Sequence, residues 1–126
     1  MDMAEPSKNQ IESAAGQARE QERRQFRRIA TRIEGRIVFA GVDAECLIHE
    51  MSASGAIVEV VPLPALGADI ALDVPDVGFA RGIAKRYPEP HLVSVDLATP
   101  PARRDRLTDR LILAAFRHPP LPASDE

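Results

Sequence analysis

The stretch Ile29-Ala30-Thr31-Arg32-Ile33-Glu34-Gly35-Arg36-Ile37-Val38-Phe39 decides how this chain folds. Ile29, Thr31, Ile33, Gly35, Ile37 and Phe39 fall at alternate positions, with Arg32, Glu34 and Arg36 between them. A period of two is that of a half-buried strand. Working outward, Gly41-Val42-Asp43 is a hairpin turn, and residues 44–50 return as a second strand with Cys46 and Ile48 on one face. Residues 51–55 interrupt the pairing. Residues 56–61 form a third strand rich in β-branched side chains.

Pro62, Pro64 and Gly67 mark a loop. Ile70, Leu72 and Val74 alternate with Ala71 and Asp73 in a fourth strand. Phe79, Arg81, Ile83 and Lys85 alternate with Ala80, Gly82 and Ala84 in a fifth, and residues 92–97 make a sixth. Strands this closely spaced predict a small barrel or sandwich. The period then changes. Leu107, Leu111, Ala114 and Ala115 share one side of an amphipathic helix, opened by Thr99 as N-cap with Pro100 in its first turn and closed by Pro119 and Pro120. The expected fold is all-β: a six-stranded antiparallel barrel with a C-terminal α-helix. Its core draws on Ile33, Ile37, Phe39, Ile48, Ile57, Ile70, Leu72, Ile83, Val93 and Val95.

At 126 residues the chain suits one domain with tails. Residues 1–20 read as a flexible polar leader, 21–117 as the domain and 118–126 as a disordered tail. The net charge of -3 and an aromatic content of 4% argue against a nucleic-acid binder, which needs basic surface and stacking rings. Charge is nonetheless uneven. Residues 17–36 hold seven arginines against Glu20, Glu22 and Glu34, so a local excess of positive charge sits on an acidic protein. That pattern suits a small anionic ligand better than a long polyanion. With one cysteine, Cys46, no internal disulfide can form, which is compatible with a reducing cytosol. No apolar run reaches the roughly 18 residues of a membrane span, and no signal-peptide core opens the chain.

Two segments carry chemistry. One is the run Arg23-Arg24-Gln25-Phe26-Arg27-Arg28; the other is Glu50-Met51-Ser52-Ala53-Ser54-Gly55. Arginine forks give paired hydrogen bonds to phosphate oxygens or to guanine O6 and N7. A polar turn offers backbone and hydroxyl donors, and a carboxylate accepts from guanine N1–H and N2–H.

Together these segments resemble the PilZ domain, a bacterial sensor module for cyclic di-GMP that carries an RxxxR motif and a later [D/N]xSxxG motif. The resemblance covers roughly residues 22–117. It implies a six-stranded barrel with a terminal helix. It also implies cyclic di-GMP as ligand, held by Arg23, Arg24, Arg28, Glu50, Ser52 and Gly55. Arg24 with Arg28 is the favoured register, and Arg23 with Arg27 is a second. The second motif departs from the family pattern, because Glu50 stands where Asp or Asn leads xSxxG. Glutamate reaches farther by about 1.5 Å, one C–C bond. By the same resemblance the protein is a cytoplasmic sensor or adaptor. Its arginine segment orders on the ligand and relays the signal to an unidentified protein effector in motility, biofilm or polysaccharide control. It would be a monomer or weak dimer, with no membrane insertion.

Other readings stand beside this one. The arginine run can be a solvated face, and residues 50–55 a strand-to-strand corner in which Gly55 supplies an unusual backbone angle. The alternative function is a docking domain of the same fold with a degenerate site that binds no cyclic di-GMP. No nucleophile, base and orienter come together in the sequence, so no enzyme is expected. His49, His91, His118 and Cys46 are too scattered for a metal site, and no cofactor is expected.

Overall fold

The structure is a computed structural model and describes residues 27–121. Arg23, Arg24 and the expected leader lie outside the described residues. Among the described residues six strands and one helix follow in order: β1 (Ile29–Phe39), β2 (Val42–Met51), β3 (Gly55–Glu59), β4 (Asp69–Val74), β5 (Gly78–Arg86), β6 (Leu92–Leu97) and α1 (Pro101–Arg117). The strands close into a barrel in the order β1-β2-β3-β6-β5-β4, and every pair is antiparallel. Closure gives every strand a neighbour on both sides, although β1 meets β4 only over Arg36–Val38.

The β1–β2 hairpin turns at Ala40-Gly41, one residue earlier than expected, and Phe39 pairs with Val42. Both turn residues have positive φ, 44° at Ala40 and 81° at Gly41. Two such residues make the tight turn whose twist matches the flanking strands. Alanine is a poor occupant of that region, whereas asparagine tolerates it. Ala40→Asn is therefore expected to raise stability by about 0.5–1 kcal/mol in urea denaturation.

Strict alternation along β2 would put Glu50 on the inner face with Cys46 and Ile48. A bulge prevents this. The pairing of β2 with β3 slips between Ile48 and Glu50, and that of β1 with β2 slips between Ala30 and Ile33. Ile48 and Met51 are both fully buried as a result, and Glu50 turns outward. The buried Thr31 hydroxyl donates to the Ile48 carbonyl at 2.6 Å, serving an acceptor where both ladders slip.

The core holds Ile33, Ile37, Phe39, Ile48, Ile70, Leu72, Val93 and Val95 as expected. Ile57 and Ile83 are corrections. On β3 the inward positions are Ala56 and Val58, and Ile57 is half-buried on the outer face. On β5 the inward positions are Ala80, Gly82 and Ala84, while Phe79 and Ile83 lie outside. Large side chains from the other strands already fill a narrow barrel, so β5 contributes small ones.

Cys46 is buried in this core, and burial pushes its thiol up to about 11, against the opposing pull of the Gly35 backbone and the Arg36 charge. Above the ordinary thiol range the unfolded chain loses this proton while the folded chain keeps it. Stability therefore falls as pH rises from about 9 to about 11, by about 2–3 kcal/mol at 1.36 kcal/mol per unit. Urea titrations of the parent and of Cys46→Ala across this range should differ by that slope.

Helix α1 begins one residue later than expected. Pro100 is the N-cap, with no side-chain capping bond, and the Thr99 hydroxyl finds no partner among the described residues. Its inward face is Leu107, Thr108, Leu111 and Ala114, with Ala115 half-buried. The Arg32 N–H donates to the His118 carbonyl at 2.9 Å, tying the chain after the helix to β1. No helix among the described residues is long and apolar enough to cross a membrane.

Candidate functional site

The 52–55 turn is held from within. The Ser52 N–H donates to the Gly55 carbonyl at 2.8 Å, and the Ser54 N–H donates to Ser52 Oγ at 3.1 Å. Ser52 Oγ also lies 3.2 Å from Ser54 Oγ, and Ser52 is only 1% exposed. Its hydroxyl is thus committed to the turn, as serine commonly is in such corners. The exposed hydroxyl there belongs to Ser54. The Ser54 carbonyl accepts from the Leu97 N–H at 2.9 Å, which fastens the turn to the end of β6.

Gly55 does not occupy the left-handed backbone region. Its lack of a side chain matters for space instead. A Cβ built there would lie 3.2 Å from the Val95 carbonyl oxygen and 3.7 Å from Arg28 Nη2. The Arg28 guanidinium therefore lies over Gly55. The chain brings these two residues together because Arg28 directly precedes β1, whose first residue Ile29 pairs with Met51 next to the turn. Arg27 is exposed at the same edge. Of the expected site residues, Arg28, Glu50, Ser52 and Gly55 fall on this side of the barrel, while Arg23 and Arg24 lie outside the described residues.

Two rows of paired residues cross the strands here, with Ser94 and Gly55 themselves buried. Ala30, Glu50, Ile57 and Ser94 are successive partners across β1, β2, β3 and β6. Gly55, Asp96 and Ile83 are partners across β3, β6 and β5. Neighbouring rows on one face stand about 7 Å apart. Asp96 is exposed and lies 3.8 Å from Lys85 Nζ. Ile83, 44% exposed, offers an apolar surface beside it. Sequence reading missed Asp96 and Ile83. They are ordinary alternating residues of two strands, and only the register shows that they share a row with Gly55. The site is thus an open platform: a guanidinium over a glycine, two carboxylates, a turn with an exposed hydroxyl and an apolar patch. Such a set can bind a phosphorylated ring compound.

No protein-family model matches the chain, and no curated protein matches it. Among solved structures, the barrel is similar to the PlzA protein of Borreliella burgdorferi in complex with c-di-GMP, at 18% identity and a TM-score of 0.58. That match covers 84% of this chain and 50% of the other, so this chain spans about half of PlzA. It is also similar to the PilZ domain of CeSA from a cellulose-synthesizing bacterium, at 13% identity and a TM-score of 0.54, covering 68% of this chain and 94% of that one. At such identities the likeness is one of fold. The chain has the fold of a PilZ-like domain: a closed six-stranded antiparallel barrel with a C-terminal helix.

Proposed function

We propose that this chain is a cyclic di-GMP receptor module. The observation that carries the reading is the Arg28 guanidinium lying over Gly55, on a face shared with Glu50 and Asp96. Arg28, with Arg24 or Arg23 from the preceding segment, meets phosphate oxygens and the guanine O6/N7 edge. Glu50 accepts from guanine N1–H and N2–H. Ser52 keeps the turn in shape, and Gly55 lets the ligand and Arg28 approach the sheet. No step of bond making is involved. The ligand acts by ordering the arginine segment, which changes the surface offered to a protein effector in the bacterial cytoplasm. Motility, biofilm and surface polysaccharide control are the processes in which such a relay would serve.

The test is calorimetric titration of the full chain with cyclic di-GMP at physiological salt, with GTP as control. Saturable binding of cyclic di-GMP and none of GTP is the expected result. The second reading, a docking domain with a degenerate site, is favoured by Glu50 standing where the family motif has Asp or Asn. Glu50→Asp separates the two. On the receptor reading it changes an existing affinity by no more than about tenfold, the range of one hydrogen bond. A parent that binds nothing beside an Asp variant that binds would establish the docking domain instead.

A further inference from the structure

A second concavity, of about 320 Å³, lies between the start of β5 and the first half of α1. Phe79 and Arg81 form one wall, on the outer face of β5. Arg103, Arg106 and Arg110 form the other. They sit at i, i+3 and i+7, so they follow one side of the helix over about 10 Å. Leu107 lies at the helix base of the groove, and no carboxylate lines it.

Elsewhere on the barrel some cations are paired, although Arg27, Arg28, Arg32 and Arg86 are held by no ion pair among the described residues. Arg36 meets Asp43 and Glu45, Lys85 meets Asp96, and Arg117 meets Asp76. Among the described residues no ion pair holds Arg81, Arg103, Arg106 or Arg110. Four guanidiniums around one small concavity repel one another, and a cleft focuses their field on whatever anion enters. Phe79, at 57% exposed, adds a ring face to the same wall. Arginine forks suit phosphate oxygens, and an exposed aromatic ring suits a planar base. The volume is at the small end of ligand pockets and matches a single nucleotide. A confined space with one ring also favours a nucleotide over an extended acidic peptide.

We propose that this groove is a nucleoside-monophosphate site, separate from the Arg28–Gly55 platform and independent of the reading given to it. Phe79 stacks on the base, and Arg106 and Arg110, with Arg81 and Arg103, hold the phosphate. The two places are mechanically close. The Ala98 N–H donates to the Arg81 carbonyl at 2.8 Å, and its neighbour Leu97 donates to the Ser54 carbonyl at the platform turn. Occupancy of the groove thus bears on the same short segment that anchors the turn.

The experiment is a titration of the isotope-labelled full chain with GMP at physiological salt, followed by amide NMR. Saturable shifts at Phe79, Arg81, Ala98 and residues 103–110 are expected. Arg106→Ala/Arg110→Ala should raise the apparent Kd at least tenfold without loss of fold, since both side chains are exposed and alanine favours helix. Phe79→Ala should weaken GMP but leave inorganic phosphate unaffected. Arg28→Ala should leave the GMP shifts intact, and a parallel cyclic di-GMP titration of that variant reports on the platform alone. Shifts confined to residues 52–55, or a double variant that binds GMP like the parent, would overturn the proposal. So would a hexaglutamate peptide that shifts the groove where GMP does not.

Discussion

Replacing Gly82 by alanine is expected to cost at least about 3 kcal/mol, at the upper end of what overpacking does. Gly82 lies in β5, opposite Leu97 of β6. A Cβ there would run into the backbone carbonyl oxygen of Asp96, and would sit 2.9 Å from its carbonyl carbon and 3.0 Å from Val95 Cγ1. The obstacle is backbone, so no rotamer change relieves it. β6 can retreat only by breaking its ladder with β5, including the bond from the Ala98 N–H to the Arg81 carbonyl. For a domain of about 100 residues, such a loss lowers Tm by more than about 10 °C. Gly67→Ala is the informative control. It has positive φ, 88°, but nothing within 4 Å of its added Cβ, so only backbone strain of about 1–2 kcal/mol applies. Thermal denaturation of the two variants measures the difference. If Gly82→Ala melted no lower than Gly67→Ala, the close crossing of β5 and β6 would be wrong.

Arg28→Ala is expected to weaken cyclic di-GMP binding by about 1.5–3 kcal/mol, roughly ten- to more than a hundredfold in Kd. Arg28 is exposed and precedes β1, so its removal should leave the melting temperature within about 2 °C, as for other surface changes. Arg28→Lys should recover only part of the loss, because an ammonium cannot give the paired, planar contact of a guanidinium. Arg27→Ala settles the register. On the favoured register it has a small effect. A large loss with Arg27→Ala, beside parent-like binding by Arg28→Ala, would move the site to Arg23 and Arg27 and sink the present assignment.

Several parts of this molecule were legible in its residues one by one. The period of two from Ile29 to Phe39, the punctuation by Gly and Pro, and the later change to a helical period determine six strands and a helix, because burial on one face imposes that spacing. That one arginine, Arg28, stands beside the 52–55 turn was legible too, because it directly precedes β1, whose first residue pairs next to that turn.

Other features were decided only in three dimensions. Alternation alone places Glu50 on the inner face; a bulge, invisible to periodicity, turns it out and buries Met51. Ile57 and Ile83 have the hydrophobicity of core residues, yet barrel volume was already taken, and close strand crossing selected Ala80, Gly82 and Ala84 for the inside. Gly55 reads as a turn glycine, but its use is to let Arg28 lie against the sheet near Val95. Asp96 joins the platform, and Phe79 and Arg81 join the arginines of α1, through registers between strands distant in sequence. The physical reason is common to all of these. Local pattern encodes which face of an element is apolar, whereas free volume and strand register depend on every element at once and exist only after the barrel closes.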